Sequence, residues 1–279
     1  MQSGAFYVAV HFAVAAAYLA VALQSWRALR RGTVPARPGW SSVLLAVAVL
    51  VHAGLLAQDV YGSGGFRLGF AHMLSATFLL AGAILWVEGF FVPLDALYLI
   101  VGPLAALALL GPLVYHGATL DDSMALRVHL GTSVLAYGLL MIAALHTLLM
   151  ASMDRYLHQP LRDTSGAIGP IFARMPPLLA LERLLFHQIG LGFVLLTATV
   201  ASGMLFSEER YGRALPFNHM TLFALLSWLV FAGLLVGRFA FGWRGRVAQR
   251  WVLVGFLMLV LAYIGARFVL EVILGRAPA

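Results

Sequence analysis

Apolar residues run along this chain in eight long stretches parted by polar breaks: 5–26, 41–58, 68–90, 94–114, 127–151, 185–206, 219–240 and 251–273. A helix rising 1.5 Å per residue needs about 20 such residues to cross the hydrocarbon core of a bilayer. The pattern predicts an all-α integral membrane protein, a bundle of eight transmembrane helices in a single domain over 1–279. Only Phe91–Pro93 separates the third stretch from the fourth. Irregular backbone cannot face lipid, so these two should form a helical hairpin. The longest break, Ser152–Leu184, is rich in Pro, Gly and Arg and reads as a folded-back surface segment or a plain linker. Pro176 and Pro177, followed by LLALERLL, predict a short interfacial helix leading into span six. No internal repeat stands out.

The polar residues orient the bundle. All eighteen basic residues are Arg. Breaks 27–40, 152–184 and 238–250 carry twelve of them, whereas the breaks of the opposite side and the C-terminal tail carry five. The positive-inside rule then places both termini outside. Met1–Gly4 is uncharged and the Arg residues follow the first span, which is the pattern of a retained helix and not of a cleaved signal. Asp121, Asp122, Glu208 and Glu209 fall on the outer face.

Composition agrees and narrows the chemistry. The chain is 62% hydrophobic and 10% charged, against about 25% charged in soluble domains. The net charge of +7 lies in Arg residues flanking spans, so the bilayer and not nucleic acid is the expected partner. There is no Cys, which excludes disulfide and thiolate-ligand chemistry.

Nine His remain, and depth sorts them. His129 and His219 open spans five and seven at the outer surface, with His72 near the outer end of span three. His146 lies about 25 Å further along its helix than His129, near the inner surface, as does His187. His11 and His52 sit in the outer halves of spans one and two and read as core or interface residues. His116 and His158 read as solvated. Two facing imidazoles on separate helices suit the iron of a flat macrocycle, which takes an axial ligand on each side. Gly131, Ser133, Ala136, Ala224 and Ser227 would let a porphyrin approach, with Phe217, Phe223 and Trp228 as walls. Zinc suits the pattern less, since it wants three or four close ligands. Structural hydrogen bonding accounts equally for any one of these histidines. Arg267 and Glu271, spaced i, i+4, either pair with each other or leave Arg267 for a propionate. Glu88 and Asp95 lie near the inner ends of spans three and four.

Four stretches then carry a resemblance: ERLLFHQIGLGFVLLTATVASGMLF, HMTLFALLSWLVFAGLLVGR, the polar FGWRGR and the closing AYIGARFVLEVIL. Together with VHLGTSVLAYGLL at 128–140 they resemble the CcsA/HemX family of cytochrome c assembly membrane proteins, and above all its smaller YpjD-type branch. The likeness is strong over 125–275 and weak over 1–124. It implies one CcsA-like transmembrane domain that handles haem, with His129 matching the family's first outer histidine. The tryptophan-rich WWD segment of the larger members is missing, since SEERYGRALPFN stands in its place. Their final outer histidine is missing as well.

These readings converge on a non-enzymatic membrane protein binding haem b non-covalently near the outer leaflet. His129 and His219 are the expected axial ligands to the haem iron. Arg127, Arg210, Arg213 and Arg267 are the expected propionate partners, and His72, His146 and His187 are secondary candidates. A second haem between His146 and His187 is a variant of this reading. Expected partners are lipid, haem, and cytochrome c maturation or other membrane proteins. The alternative is a haem-free regulatory or transport-associated subunit, serving tetrapyrrole-synthesis control or divalent-cation export. The scarcity of carboxylates within the spans speaks against a cation path.

Overall fold

Seven of the apolar stretches and the start of the eighth fold as helices in a computed structural model that describes residues 2–31, 39–62, 66–120, 123–157, 176–211, 219–265 and 273. They are α1 (Gln2–Arg31), α2 (Trp40–Tyr61), α3 (Phe70–Glu88), α4 (Asp95–Leu110), α5 (Met124–Leu157), α6 (Leu178–Tyr211), α7 (His219–Phe241) and α8 (Gly245–Val260), the last running into a π turn at Leu261–Gly265. The first seven are long and apolar enough to cross a membrane, so the protein is a multi-pass membrane protein. The 16 residues of α8 fall short of a span by themselves, and most of the stretch predicted to complete it lies outside the described residues.

Two helices differ from expectation. α5 and α6 have 34 residues each, about 51 Å of helix, well beyond a hydrocarbon core of about 30 Å. The LLALERLL segment is not a separate interfacial helix. It forms the first turns of α6, because Pro177 sits just ahead of the helix, where a missing N–H costs nothing. The Pro177 carbonyl accepts from the Ala180 and Leu181 amides at 2.8 and 3.2 Å. No Gly or Pro then interrupts the helix before Gly190.

Packing joins the helices as two groups. In the first, α1 packs along α4 and α2, and α3 lies against α2 and α4, so α3 and α4 form the expected hairpin. Small residues allow the closest approach: a Cβ on Gly102 of α4 would stand 3.0 Å from the Tyr18 carbonyl oxygen of α1. In the second group α5 packs along α6, α6 on α7, α7 on α8 and α8 back on α5. These four helices form a ring in which α5 and α7 stand diagonally. α3 joins the groups through α5.

At the end of the bundle carrying His129 and His219, called here the histidine end, two short strands form a lid. β1 (Arg67–Leu68) pairs antiparallel with β2 (Ala118–Thr119). Gly117 makes this turn with φ of 66°, and a Cβ there would meet the Leu68 backbone at 2.7 Å, so only Gly fits. Phe66 and Leu68 of the lid bury themselves on Val60 and Met73. The opposite end is the arginine-rich end.

Candidate functional site

His129 lies in the second turn of α5, half-buried against α6. Its Nδ1 is 3.1 Å from Ser202 Oγ. Ser202 Oγ itself donates to the Thr199 carbonyl at 3.1 Å. With the hydroxyl proton on Thr199, Ser202 accepts from His129 Nδ1–H. This fixes the neutral tautomer with its lone pair on Nε2, the form that ligates a metal, oriented by a hydrogen bond from the other ring nitrogen. Gly203 makes the ring's bed, since a Cβ on it would lie 3.0 Å from His129 Cε1. Thr199 Oγ1 is buried close by without a hydrogen-bond partner.

His219 is the first residue of α7 and is exposed. α5 and α7 do not pack on each other; the ring of helices sets them across its diagonal, with α6 and α8 between. Ser227 donates to the Gly255 carbonyl at 2.9 Å and so serves the α7–α8 contact. Trp228 stacks on Phe193 at 5.6 Å and donates to Thr197 Oγ1 at 2.9 Å, fastening α7 to α6.

Two other candidates meet in one place. His72 and Arg127 line a cleft of about 460 Å³ between α2, α3 and α5, walled by Tyr61, Phe66, Met73 and Val134. Gly131 of the His129 turn opens onto the same cleft. Arg127 lies over the Tyr61 ring at 5.6 Å. His72 is 2% exposed, and its Nδ1 is buried without a hydrogen-bond partner.

The inner candidates do not meet. His146 is fully buried and faces Glu88 of α3. His187 is exposed and donates from Nδ1 to the Arg183 carbonyl at 2.7 Å. It is Gln188, next along α6, that turns into the core towards Glu88. The Arg210 side chain, Arg213, Arg267, Glu271 and His158 lie outside the described residues.

Hydrogen-bonded networks place the two histidines read as core. His52 uses both ring nitrogens, at 3.1 Å from Tyr18 Oη and 2.8 Å from Ser75 Oγ. His11 donates from Nδ1 to the Tyr7 carbonyl at 3.0 Å and faces Asp59 at 3.8 Å. Among the described residues no three His, Cys, Asp or Glu side chains gather as a metal site.

The profile of the cytochrome C assembly protein family matches residues 39–274 of this chain. The chain belongs to that family. It is 36% identical over 186 residues to a 28.8 kDa protein of a nifR3-like 5′ region of Azospirillum brasilense, covering 66% of this chain and 65% of that protein. It is 35% identical over 159 residues to the inner membrane protein YpjD of Escherichia coli K12, covering 55% of each. It is 28% identical over 156 residues to the cytochrome c biogenesis protein CcsA of Prochlorococcus marinus, covering 51% of this chain and 50% of that one. The chain thus spans about half to two thirds of these relatives' lengths. No solved structure matches it. In this member of the family, Ser202 and Gly203 form the surface on which His129 rests. The hydrogen bond through Ser202 was the feature sequence reasoning missed, although the motif that carries it was in view.

Proposed function

We propose that the protein binds haem b non-covalently at the histidine end, with His129 as one axial ligand and His219 as the other. The observation that carries this reading is the Thr199–Ser202–His129 chain of hydrogen bonds, which leaves Nε2 as a directed lone pair at the mouth of the bundle. The diagonal relation of α5 and α7 suits it, because axial ligands approach a flat ring from opposite sides and bundle cofactors sit between facing helices. Haem would supply the redox chemistry when bound. The chain's own residues orient the imidazoles and close the site against lipid. Family membership supports haem handling, and the relative named as CcsA supports a place in cytochrome c biogenesis. The missing WWD segment assigns the chain a binding or accessory role in place of haem lyase chemistry. Localisation in a bacterial inner membrane follows the YpjD relative, with eight spans and both termini outside as the arginine count requires.

A second geometry is favoured by the cleft beside it. There His72 would be the ligand, its unpaired Nδ1 aimed at iron, with Arg127 on a propionate. Absorption spectra of the purified chain after haem supply separate the two. Loss of the Soret band in His129→Ala and His219→Ala, with His72→Ala retaining it, supports the first geometry; the reverse pattern supports the second. A wild type without a Soret band refutes both.

A further inference from the structure

At the arginine-rich end three helices bring together polar atoms that lack partners. Glu88 ends α3, His146 lies in α5 and Gln188 in α6. Their relative exposures are 8%, 0% and 3%. His146 Nδ1 is 3.0 Å from the Ile142 carbonyl. A carbonyl only accepts, so Nδ1 carries the ring proton and Nε2 is a bare lone pair. Gln188 Nε2 donates to Glu88 Oε1. The other carboxyl oxygen, Oε2, faces His146 Nε2 at 3.7 Å, and both atoms are buried without a hydrogen bond. Two acceptors thus point at each other in the protein interior.

We propose that Glu88 and His146 bind one proton between them, held on Glu88 Oε2 and directed at His146 Nε2. This site is independent of the haem reading. A single O–H satisfies both orphan atoms. It needs an approach of about 1 Å to reach bonding distance, which rotation of the Glu88 carboxyl supplies. The alternatives are worse. A bare carboxylate would be a buried charge facing a lone pair. Moving the proton to His146 would leave two separated ions out of water. A metal ion lacks ligands, because no third His, Cys, Asp or Glu joins the pair among the described residues.

Among the described residues, no Arg pairs with Glu88. Asp95 at the start of α4 accepts from Ser25 of α1 at 3.3 Å. Glu182 of α6 is held by Arg238 of α7 at 2.8 Å and by Arg244 at 3.2 Å. Asp154 of α5 is held by Arg246 of α8 at 2.9 Å. His187 points away from the core. α2, which packs on the other side of α3, presents no charge at this end: its acidic residue, Asp59, is at the histidine end beside His11 and Tyr7. That pair repeats the arrangement, but the Asp59 side chain is 19% exposed and Glu88 only 10%. Glu88 is thus the more enclosed carboxyl, and Asp59 has the Tyr7 hydroxyl as a further donor. An intramembrane ionisable pair is expensive and marks proton paths in other membrane proteins. Here it gives the bundle one group that takes up or releases a proton between α3, α5 and α6.

Infrared spectroscopy of the full chain in lipid nanodiscs, at neutral pH in H2O and D2O, tests this. The wild type should show a protonated-carboxyl band that shifts in D2O. The band should vanish in Glu88→Gln, a near-isosteric change that leaves the Gln188 contact a partner. In His146→Leu it should persist but move, since its acceptor is gone. No protonated-carboxyl band in the wild type, or a band unchanged in Glu88→Gln, overturns the proposal. So does stoichiometric Zn2+ binding lost in Glu88→Gln, which would make the acceptors metal ligands.

Discussion

Replacing Ser202 by Ala removes the one hydroxyl that both receives His129 Nδ1–H and donates to Thr199, each at 3.1 Å. The imidazole stays on its Gly203 bed, so the ligand remains and only its orientation and tautomer lose support. Loss of such an outer partner lowers metal affinity about 10–100-fold. The lower end applies here, because the Gly203 bed still holds the imidazole in place. We expect haem affinity to fall about tenfold, or about 1.4 kcal/mol. Fold stability should change little, since a side-chain hydrogen bond in a membrane bundle averages about 0.6 kcal/mol. Haem titration followed by Soret absorbance measures the first, and thermal unfolding of the haem-free chain the second. Ser202→Ala with wild-type affinity, alongside His129→Ala with none, would refute the tautomer argument while leaving His129 a ligand. Equal affinity in all three proteins would remove His129 from the site.

Other expectations follow from the packing. Gly192→Val puts a side chain where a Cβ already lies 2.7 Å from Leu140 Cδ2; Leu140 is fully buried, so the α5–α6 seam should lose about 1–3 kcal/mol in thermal or denaturant unfolding. Glu182→Gln should cost less than about 1 kcal/mol and lose its effect in high salt. Arg238→Ala should cost more, because Arg238 also lies over the Phe186 ring at 4.3 Å and bonds the Trp243 carbonyl at 3.3 Å; equal losses in the two variants would show that only the ion pair counts. His52→Leu leaves Tyr18 Oη and Ser75 Oγ without their shared partner, so about 1–2 kcal/mol of stability should go while the haem spectrum stays as in the wild type; a lost Soret band would make His52 part of the site.

The helices were legible because lipid imposes one rule on every residue that meets it. Their ends were not. The apolar windows 127–151 and 185–206 cover only part of helices that run over Met124–Leu157 and Leu178–Tyr211. Beyond the hydrocarbon a helix continues for as long as nothing breaks it, and hydropathy is silent there. Position along the helices was also legible: His129 and His219 lie in the first turns of their helices, and His146 about 25 Å further along α5. Rotation was not, because it depends on which neighbour packs where. His187 and Gln188 share a depth, yet adjacent helix residues point about 100° apart, and the weak amphipathicity of these spans does not mark the inward one. Glu88, read only as lying near a span end, proved to be sealed by α5 and α6.

The histidines of this bundle differ in what their second nitrogen meets, and that difference decides their chemistry. His52 has both nitrogens engaged by hydroxyls, so it fastens α1, α2 and α3 and has nothing to offer a ligand. His11 and His146 each give one nitrogen to the carbonyl a turn before and aim the other at a carboxylate. His11 shares its carboxylate with the Tyr7 hydroxyl, whereas His146 is the imidazole of the proposed proton site. His129 sets Nδ1 against a neutral hydroxyl, and among the described residues no carboxylate pairs with it. One residue type, placed at four positions with three kinds of partner, yields a fastener, two imidazole–carboxylate pairs and the proposed haem ligand. Sequence spacing cannot separate these roles, because each partner belongs to the packing of a different helix.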